Sequence, residues 1–355
     1  MRFSLLLTMT CVIVLATTTF AQTPKATKTL SDQLEKLIED HRQANTPFVD
    51  SLRTAKSADE KEVIRAAQSK LAKEYSDKFY AIAEKSPKSP VAGQALAWIL
   101  KYDVSSPTTA KAMDMLVKYF LNAAALTPIL SGLKPEVAGV ERLLKPAAEK
   151  SKYAENQAAA LLVWAEILQA RAELADKKED SARMLKEAEQ KVTDLINKFA
   201  LVDRGSYVRK ARDIQYELQN LSVGKTAPDI SGNDLDEQPF KLKDYRGKVV
   251  VLLFWNSKHP KHGQSLSEMA QILGKHMGKP LVVIGVSSEN AKFAKDYVEA
   301  SKITWRSWHD DGRRIGRDWR SDGNTLYVID AKGVIRGRNV HEQKLFGLVE
   351  ELVKE

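Results

Sequence analysis

Residues 241–262 read Lys-Leu-Lys-Asp-Tyr-Arg-Gly-Lys-Val-Val-Val-Leu-Leu-Phe-Trp-Asn-Ser-Lys-His-Pro-Lys-His. Within them Lys248–Trp255 carries the unbroken apolar run VVVLLFW, rich in β-branched and aromatic residues and too short for a helix. It reads as a strand buried on both faces. The polar turn after it leads into Leu266, Met269, Ala270, Leu273 and Met277, which follow helical spacing. Further on, Leu281–Val286 (LVVIGV) is a second buried strand, and Phe293 and Tyr297 sit four apart on a second helix. Ile303–Trp308 reads as a short strand. Thr325–Asp330 and Val334–Arg338 flank the Asp330-Ala-Lys-Gly333 turn as a hairpin. Leu345, Leu348, Val349 and Leu352 mark a closing helix. Continuous apolar strands alternating with helices call for a largely parallel sheet covered on both sides. The final hairpin makes that sheet mixed.

Upstream the grammar changes. Residues 22–222 hold four glycines (Gly93, Gly132, Gly139, Gly205), whereas residues 223–355 hold thirteen. Helix interiors exclude glycine and strand–turn–helix alternation uses it, so residues 22–222 read as an all-α domain. Leu30, Leu34, Leu37, Ile38 and His41 draw one helical stripe, and Met184, Ala188, Val192, Leu195 and Phe199 another. Ser57-Ala-Asp-Glu60 is a capping box, and Ser89-Pro90 and Ser106-Pro107 pair an N-cap with proline at the first helical position. The pattern predicts about seven or eight helices, broken near 45–48, 86–90, 103–107, 127–135, 151–155, 176–181 and 202–206. Helices this short pack as antiparallel hairpins, in the manner of a tetratricopeptide array, although no clean 34-residue repeat is present.

The chain opens Met1-Arg2, runs uncharged from Phe3 to Ala16, and reaches Thr19-Phe20-Ala21 before Gln22. This is the layout of a secretory signal peptide over 1–21, and the expectation is an exported protein, periplasmic or secreted. Cleavage there removes Cys11, the chain's single cysteine, so no thiol is expected in the mature protein. No other segment is apolar enough to span a bilayer, so no stable membrane span is expected after cleavage. Formal net charge is +9, but residues 223–355 carry 22 basic and 18 acidic residues, so the excess is spread evenly. A nucleic-acid partner needs a concentrated basic face, and none is present. Signatures for a zinc protease, a serine-hydrolase elbow and a phosphate-binding loop are absent.

Three segments of the second half resemble known families. Val223-Gly-Lys-Thr-Ala-Pro-Asp229, Lys241–Trp255 and Thr325-Leu-Tyr-Val-Ile-Asp330 followed by Gly333 are similar, in order and spacing, to the AhpC/TSA and TlpA/ResA-like (redoxin) families. The resemblance covers residues 223–355. It implies a thioredoxin-like α/β domain, export, and thiol–disulfide exchange through a CxxC pair, with a cis-proline loop opposite. At the positions the resemblance matches to the two cysteines this chain has His259 and His262, in His-Pro-Lys-His. At the position it matches to the cis-proline it has Asn324. Imidazole cannot form a disulfide, so the family's oxidoreductase or antioxidant activity is disfavoured.

Three readings of His259 and His262 stand open: polar residues filling a loop that no longer carries cysteine, ligands of a divalent metal, or an acid–base pair. Two histidines alone are an incomplete metal set. His309, Asp310 and Asp311 follow a predicted strand and are candidates to complete it, while Glu268 falls on the less favourable side of its helix. Otherwise no cofactor is implied. His41 reads as a packed residue, and His276 and His341 as solvated helix ends. Trp255, Lys258, Trp308, His309 and Asn324 are the candidate binding cleft. Trp305 and Trp319 read as core and cleft wall, and Arg313-Arg314-Ile-Gly-Arg317 as a solvated helix face. The expected partner is a protein or peptide of the cell envelope.

Overall fold

The computed structural model describes residues 24–55, 57–175, 177–259, 262–321 and 323–355. The expected signal peptide (1–21) and Cys11 lie outside them, as do Pro260 and Lys261. The helical half consists of α1 (Pro24–Thr54), α2 (Ala58–Lys85), α3 (Pro90–Tyr102), α4 (Pro107–Phe120), α5 (Leu126–Ser131), α6 (Glu141–Lys150), α7 (Ala154–Leu174), α8 (Lys178–Lys198) and α9 (Ser206–Asn220). The expected caps are in place. Ser57, Ser89 and Ser106 accept through their hydroxyls from the amides of Glu60, Ala92 and Thr108, each at 3.1 Å. Consecutive helices pack on one another, α1 on α2, α2 on α3 and α3 on α4.

One expected break is absent, and part of another is helical. Helix α1 runs through Pro47. A proline removes one backbone hydrogen bond, and here packing of α1 along α2 and α3 carries the helix across the gap. The stretch near 127–135 contains α5, whose Leu126, Ile129 and Leu130 are buried. His41 is packed as expected: it is 4% exposed, with the rings of Trp98, Tyr102 and Tyr75 at 4.7, 5.0 and 5.2 Å.

The chain divides into two compact units, one through Ile167 with Asp194–Val208, the other of Leu168–Thr193 with Arg209–Glu355. The second unit contains a small antiparallel pair, β1 (Ser231–Asn233) and β2 (Pro239–Lys241). It continues with β3 (Val249–Trp255), α10 (His262–Lys275), β4 (Leu281–Ser287), α11 (Ala291–Ala300), β5 (Ser307–His309), α12 (Arg314–Asp318), β6 (Leu326–Ile329), β7 (Ile335–Arg338) and α13 (Glu342–Leu352). The main sheet has the order β5-β4-β3-β6-β7. Strands β3, β4 and β5 are parallel, and β6 and β7 antiparallel. It is the mixed α/β sheet the sequence calls for.

Strand β3 is buried at every position. Side chains alternate across a strand, so its apolar run feeds two cores. Val250, Leu252 and Phe254 join Ile284, Val286, Trp308, Trp319 and Tyr327 on one face. Val249, Val251, Leu253 and Trp255 join Met269, Ile272, Leu345 and Val349 on the other, under α10 and α13. No helix among the described residues is long and apolar enough to cross a membrane.

Helical residues complete this unit. Leu221 lies in the first core and Tyr216 of α9 packs against it. Arg338 of β7, 9% exposed, pairs with Glu217 of α9 at 2.7 Å and Glu173 of α7 at 3.3 Å. Gln169 donates to Glu217 at 2.9 Å, and the ammonium of Lys344 donates to the carbonyl of Leu174 at 2.8 Å. Burial pushes the Glu173 carboxyl up while Arg338 pulls it down, so the arginine is what keeps the pair of carboxylates tolerable. Replacing Arg338 by alanine leaves two half-buried carboxylates without their cation. The expected loss is about 3–5 kcal/mol, read as a shift of the denaturant midpoint. Unchanged stability would show that the cluster is hydrated and weak.

Candidate functional site

The parallel strands β3, β4 and β5 end side by side, with Trp255 opposite Ser287 and Ser287 opposite His309. The carboxyl ends of parallel strands are where open α/β sheets place ligands. The segments leaving these ends begin with Asn256–His259, Ser288–Asn290 and Asp310–Arg313. Asn256 organises the first by accepting from Lys258 N at 2.9 Å through its side chain and from His259 N at 2.9 Å through its carbonyl. Glu289 ties the second to the first: one carboxylate oxygen accepts from the Ser257 hydroxyl at 2.6 Å and from the Ser257 amide at 3.3 Å. The carbonyl of Glu289 lies 3.1 Å from His309 Nε2 and joins the third.

His262 opens α10 and is 3% exposed. Its ring stacks on Trp255 at 5.7 Å and tilts against Tyr297 at 5.3 Å, and neither ring nitrogen has a hydrogen-bond partner. Burial holds its pKa below the ordinary histidine value, His259 adds to that, and Glu289 opposes it. The imidazole is therefore neutral at pH 7. His259 is half-buried in the preceding turn, and its carbonyl accepts from His262 N at 3.0 Å.

The other candidates for a metal set are engaged elsewhere. Asp310 is 3% exposed and accepts from the amides of Ile315 and Gly316 at 2.8 and 2.7 Å, bracing α12. Asp311 is exposed. Glu268 is 4% exposed and accepts from, or shares a proton with, His341 Nδ1 at 3.0 Å. Among the described residues no three His, Cys, Asp or Glu side chains are grouped to hold a metal ion.

The cleft candidates separate. Lys258 is exposed and His309 half-buried. Trp255 and Trp308 are core residues, 1% and 0% exposed, not walls of an open cleft. Trp308 stacks on Phe240 at 4.1 Å because the β1–β2 pair covers that side of β5. Trp319 is 1% exposed and likewise core. Asn324 is buried, with its side-chain oxygen 3.3 Å from the Ser265 hydroxyl. His276 and His341 also depart from expectation. His276 is 7% exposed, and His341 is half-buried by its bond to Glu268. Both lie at helix ends, but those ends are covered by neighbouring elements. The arginines of Arg313–Arg317 remain on the surface, where Arg314 donates to the Ser231 carbonyl and Arg317 to that of Gly312, both at 2.8 Å.

Sequence reading missed Glu289 and Ser257, which hold the site together. The available signal was position, since Glu289 follows directly on a buried parallel strand. It also missed the ring series Trp255–Tyr297–Phe293, with spacings of 5.9 and 6.3 Å, which runs from the core to a Phe293 that is 46% exposed.

Residues 223–338 match the AhpC/TSA family model. They form a thioredoxin-like AhpC/TSA domain. Curated relatives agree. A chloroplastic peroxiredoxin Q of Triticum aestivum is 25% identical over 137 residues, covering 36% of this chain and 63% of that protein. The thiol-disulfide oxidoreductase ResA of Bacillus cereus is 25% identical over 127 residues, covering 35% and 73%. The chain thus spans under two thirds of the peroxiredoxin's length. Among solved structures, the thioredoxin domain of a thiol-disulfide oxidoreductase from Bacteroides vulgatus is 24% identical with a TM-score of 0.35, covering 38% of this chain and 99% of that one.

Two predictions follow from packing in the AhpC/TSA domain. Trp255 Nε1 reaches the Ser307 hydroxyl at 3.4 Å across Gly285 of β4. A Cβ on Gly285 would lie 2.3 Å from that hydroxyl and 2.8 Å from the indole nitrogen. Gly285→Ala should therefore cost about 1–3 kcal/mol, and thermal melting checks it. His262 gives a pH effect. Its folded pKa is lowered, so the unfolded chain takes up the proton first and stability falls as pH drops below about 6.5. His262→Phe should flatten that fall between pH 7.5 and 5.5. Buried His41, shifted the same way, leaves a residual slope. Parallel Tm curves for the two proteins would show that His262 is not buried neutral.

Proposed function

We propose that this chain is an exported, redox-inactive relative of the thiol–disulfide oxidoreductases, and that its AhpC/TSA domain holds a protein or peptide partner in the cell envelope. The observation that carries the reading is the pair His259 and His262 in a chain whose single cysteine is Cys11. Disulfide exchange needs a thiolate that attacks sulfur and a second thiol that resolves the mixed disulfide. Imidazole supplies neither. His262 is moreover built into the packing between Trp255 and Tyr297, where it serves as a ring in the core. Export is supported by the charged start, the uncharged run Phe3–Ala16 and the small residues before Gln22.

Partner binding is supported by what remains at the strand ends. The frame Ser257–Glu289–His309 is intact, and Lys258 and Phe293 stand exposed beside it. A fixed frame with a cation and an aromatic ring at its rim suits an extended or looped segment of another protein. Peroxiredoxin and thiol-disulfide oxidoreductase are the names of relatives, and the activities they denote rest on thiols.

The reading predicts that the exported form contains no titratable thiol and reduces insulin disulfides no faster than the uncatalysed reaction. Crosslinking in envelope extracts should capture a reproducible partner. Lys258→Glu combined with Phe293→Ala should weaken that capture about tenfold, the equivalent of about 1.4 kcal/mol. Insulin reduction by the exported chain, or capture indifferent to both substitutions, would overturn it.

A further inference from the structure

A second surface stands apart from the strand ends. On α8, Lys178, Ala182, Leu185 and Lys186 recur at helical spacing and share one face. On α13, Lys344 and Leu348 do the same. Both faces line a groove of about 920 Å³ within the second unit, at the upper end of the usual range for binding sites. Leu218, Val223 and Val340 add apolar lining.

The charges of this groove are of two kinds. Glu173 shares Arg338 with Glu217, and Asp330 shares Arg336 with Glu355. Lys178, Lys186 and Lys225 have no ion-pair partner among the described residues, and neither do Glu189 and Glu351. With Arg336 and Lys344 included, the lining carries five cations against four carboxylates, and so favours a negatively charged occupant by one charge. Lys178 and Lys186 are eight residues apart on one helix, about 12 Å at 1.5 Å per residue. One small anion cannot reach both, whereas carboxylates two turns apart on a helix can. A smaller cavity shares Glu173, Leu185 and Ser222 with the groove, and in it Arg338 Nε has no hydrogen-bond partner. A buried donor of this kind calls for an ordered water, and the cavity of about 10 Å³ has room for one.

We propose that this groove binds an acidic amphipathic helix of a partner protein. The partner's apolar stripe lies between Leu185 and Leu348, and its carboxylates meet Lys178 and Lys186. Recognition is of the helix-in-groove kind, read as anchors at i, i+4 and i+7. It is independent of the strand-end site.

The test uses the full exported chain and a fluorescein-labelled 14-residue helical peptide of Leu, Ala and Glu, with glutamates two turns apart on one flank of its leucine stripe. A second peptide carries lysine in place of each glutamate. Anisotropy should show the acidic peptide binding at least about tenfold more tightly than the lysine peptide. The double variant Lys178→Glu, Lys186→Glu should reverse that preference. Ala182 is exposed, so Ala182→Trp fills the groove without entering the core and should abolish binding while circular dichroism and Tm stay unchanged. Lys88→Glu, at an exposed position in the other unit, should change nothing. Equal binding of both peptides, binding of neither, or binding that survives Ala182→Trp would each overturn the proposal.

Discussion

The second unit depends on one strand being apolar on both of its faces. Because side chains alternate, Val249–Trp255 serves two cores at once, and each core is closed by different elements. Helices α10 and α13 close one; Trp308, Trp319, Phe240 and Leu221 close the other. A polar residue anywhere in β3 would face a core, since the strand has no solvent side on which to place it. The same central position fixes the site: β3 ends between β4 and β6, so whatever follows Trp255 is delivered to the middle of the sheet's carboxyl edge. Histidines stand there in this chain, but the delivery is that of the fold.

Legibility from sequence followed the range of the interactions. Val249–Trp255, Leu281–Val286 and the closing helix were readable because hydrophobic runs and periodicity are local. The serine caps were readable for the same reason. Pro47 misled because its cost is local, while the packing that offsets it comes from α2 and α3. His276 and His341 misled because burial at a helix end depends on which element covers it. The site divides in the same way. The position of His259 and His262 was evident from motif order, but the clamp of Glu289 on Ser257 spans 32 residues and left no local mark. Trp308 carried no sign that the β1–β2 pair would cover it.

The chemistry of the site follows from an imidazole set into a close-packed frame. A neutral, buried ring keeps the volume and the stacking of the helix start, and leaves the surface to Lys258 and Phe293. The fold fixes where such a ring sits and not what it does, which is why fold and function need separate arguments.

The arginine of β7 reaches back to Glu173 and Glu217, both upstream of the segment that carries the family resemblance. The recognisable stretch is therefore shorter than the piece that can be inherited as a working whole. A recombination joint at residue 223 would transplant Arg338 without its counter-charges and the sheet core without Leu221. Exchange of this module between relatives should succeed only when the joint falls before Gln169, so that the helical fringe travels with the sheet and the two evolve as one heritable block.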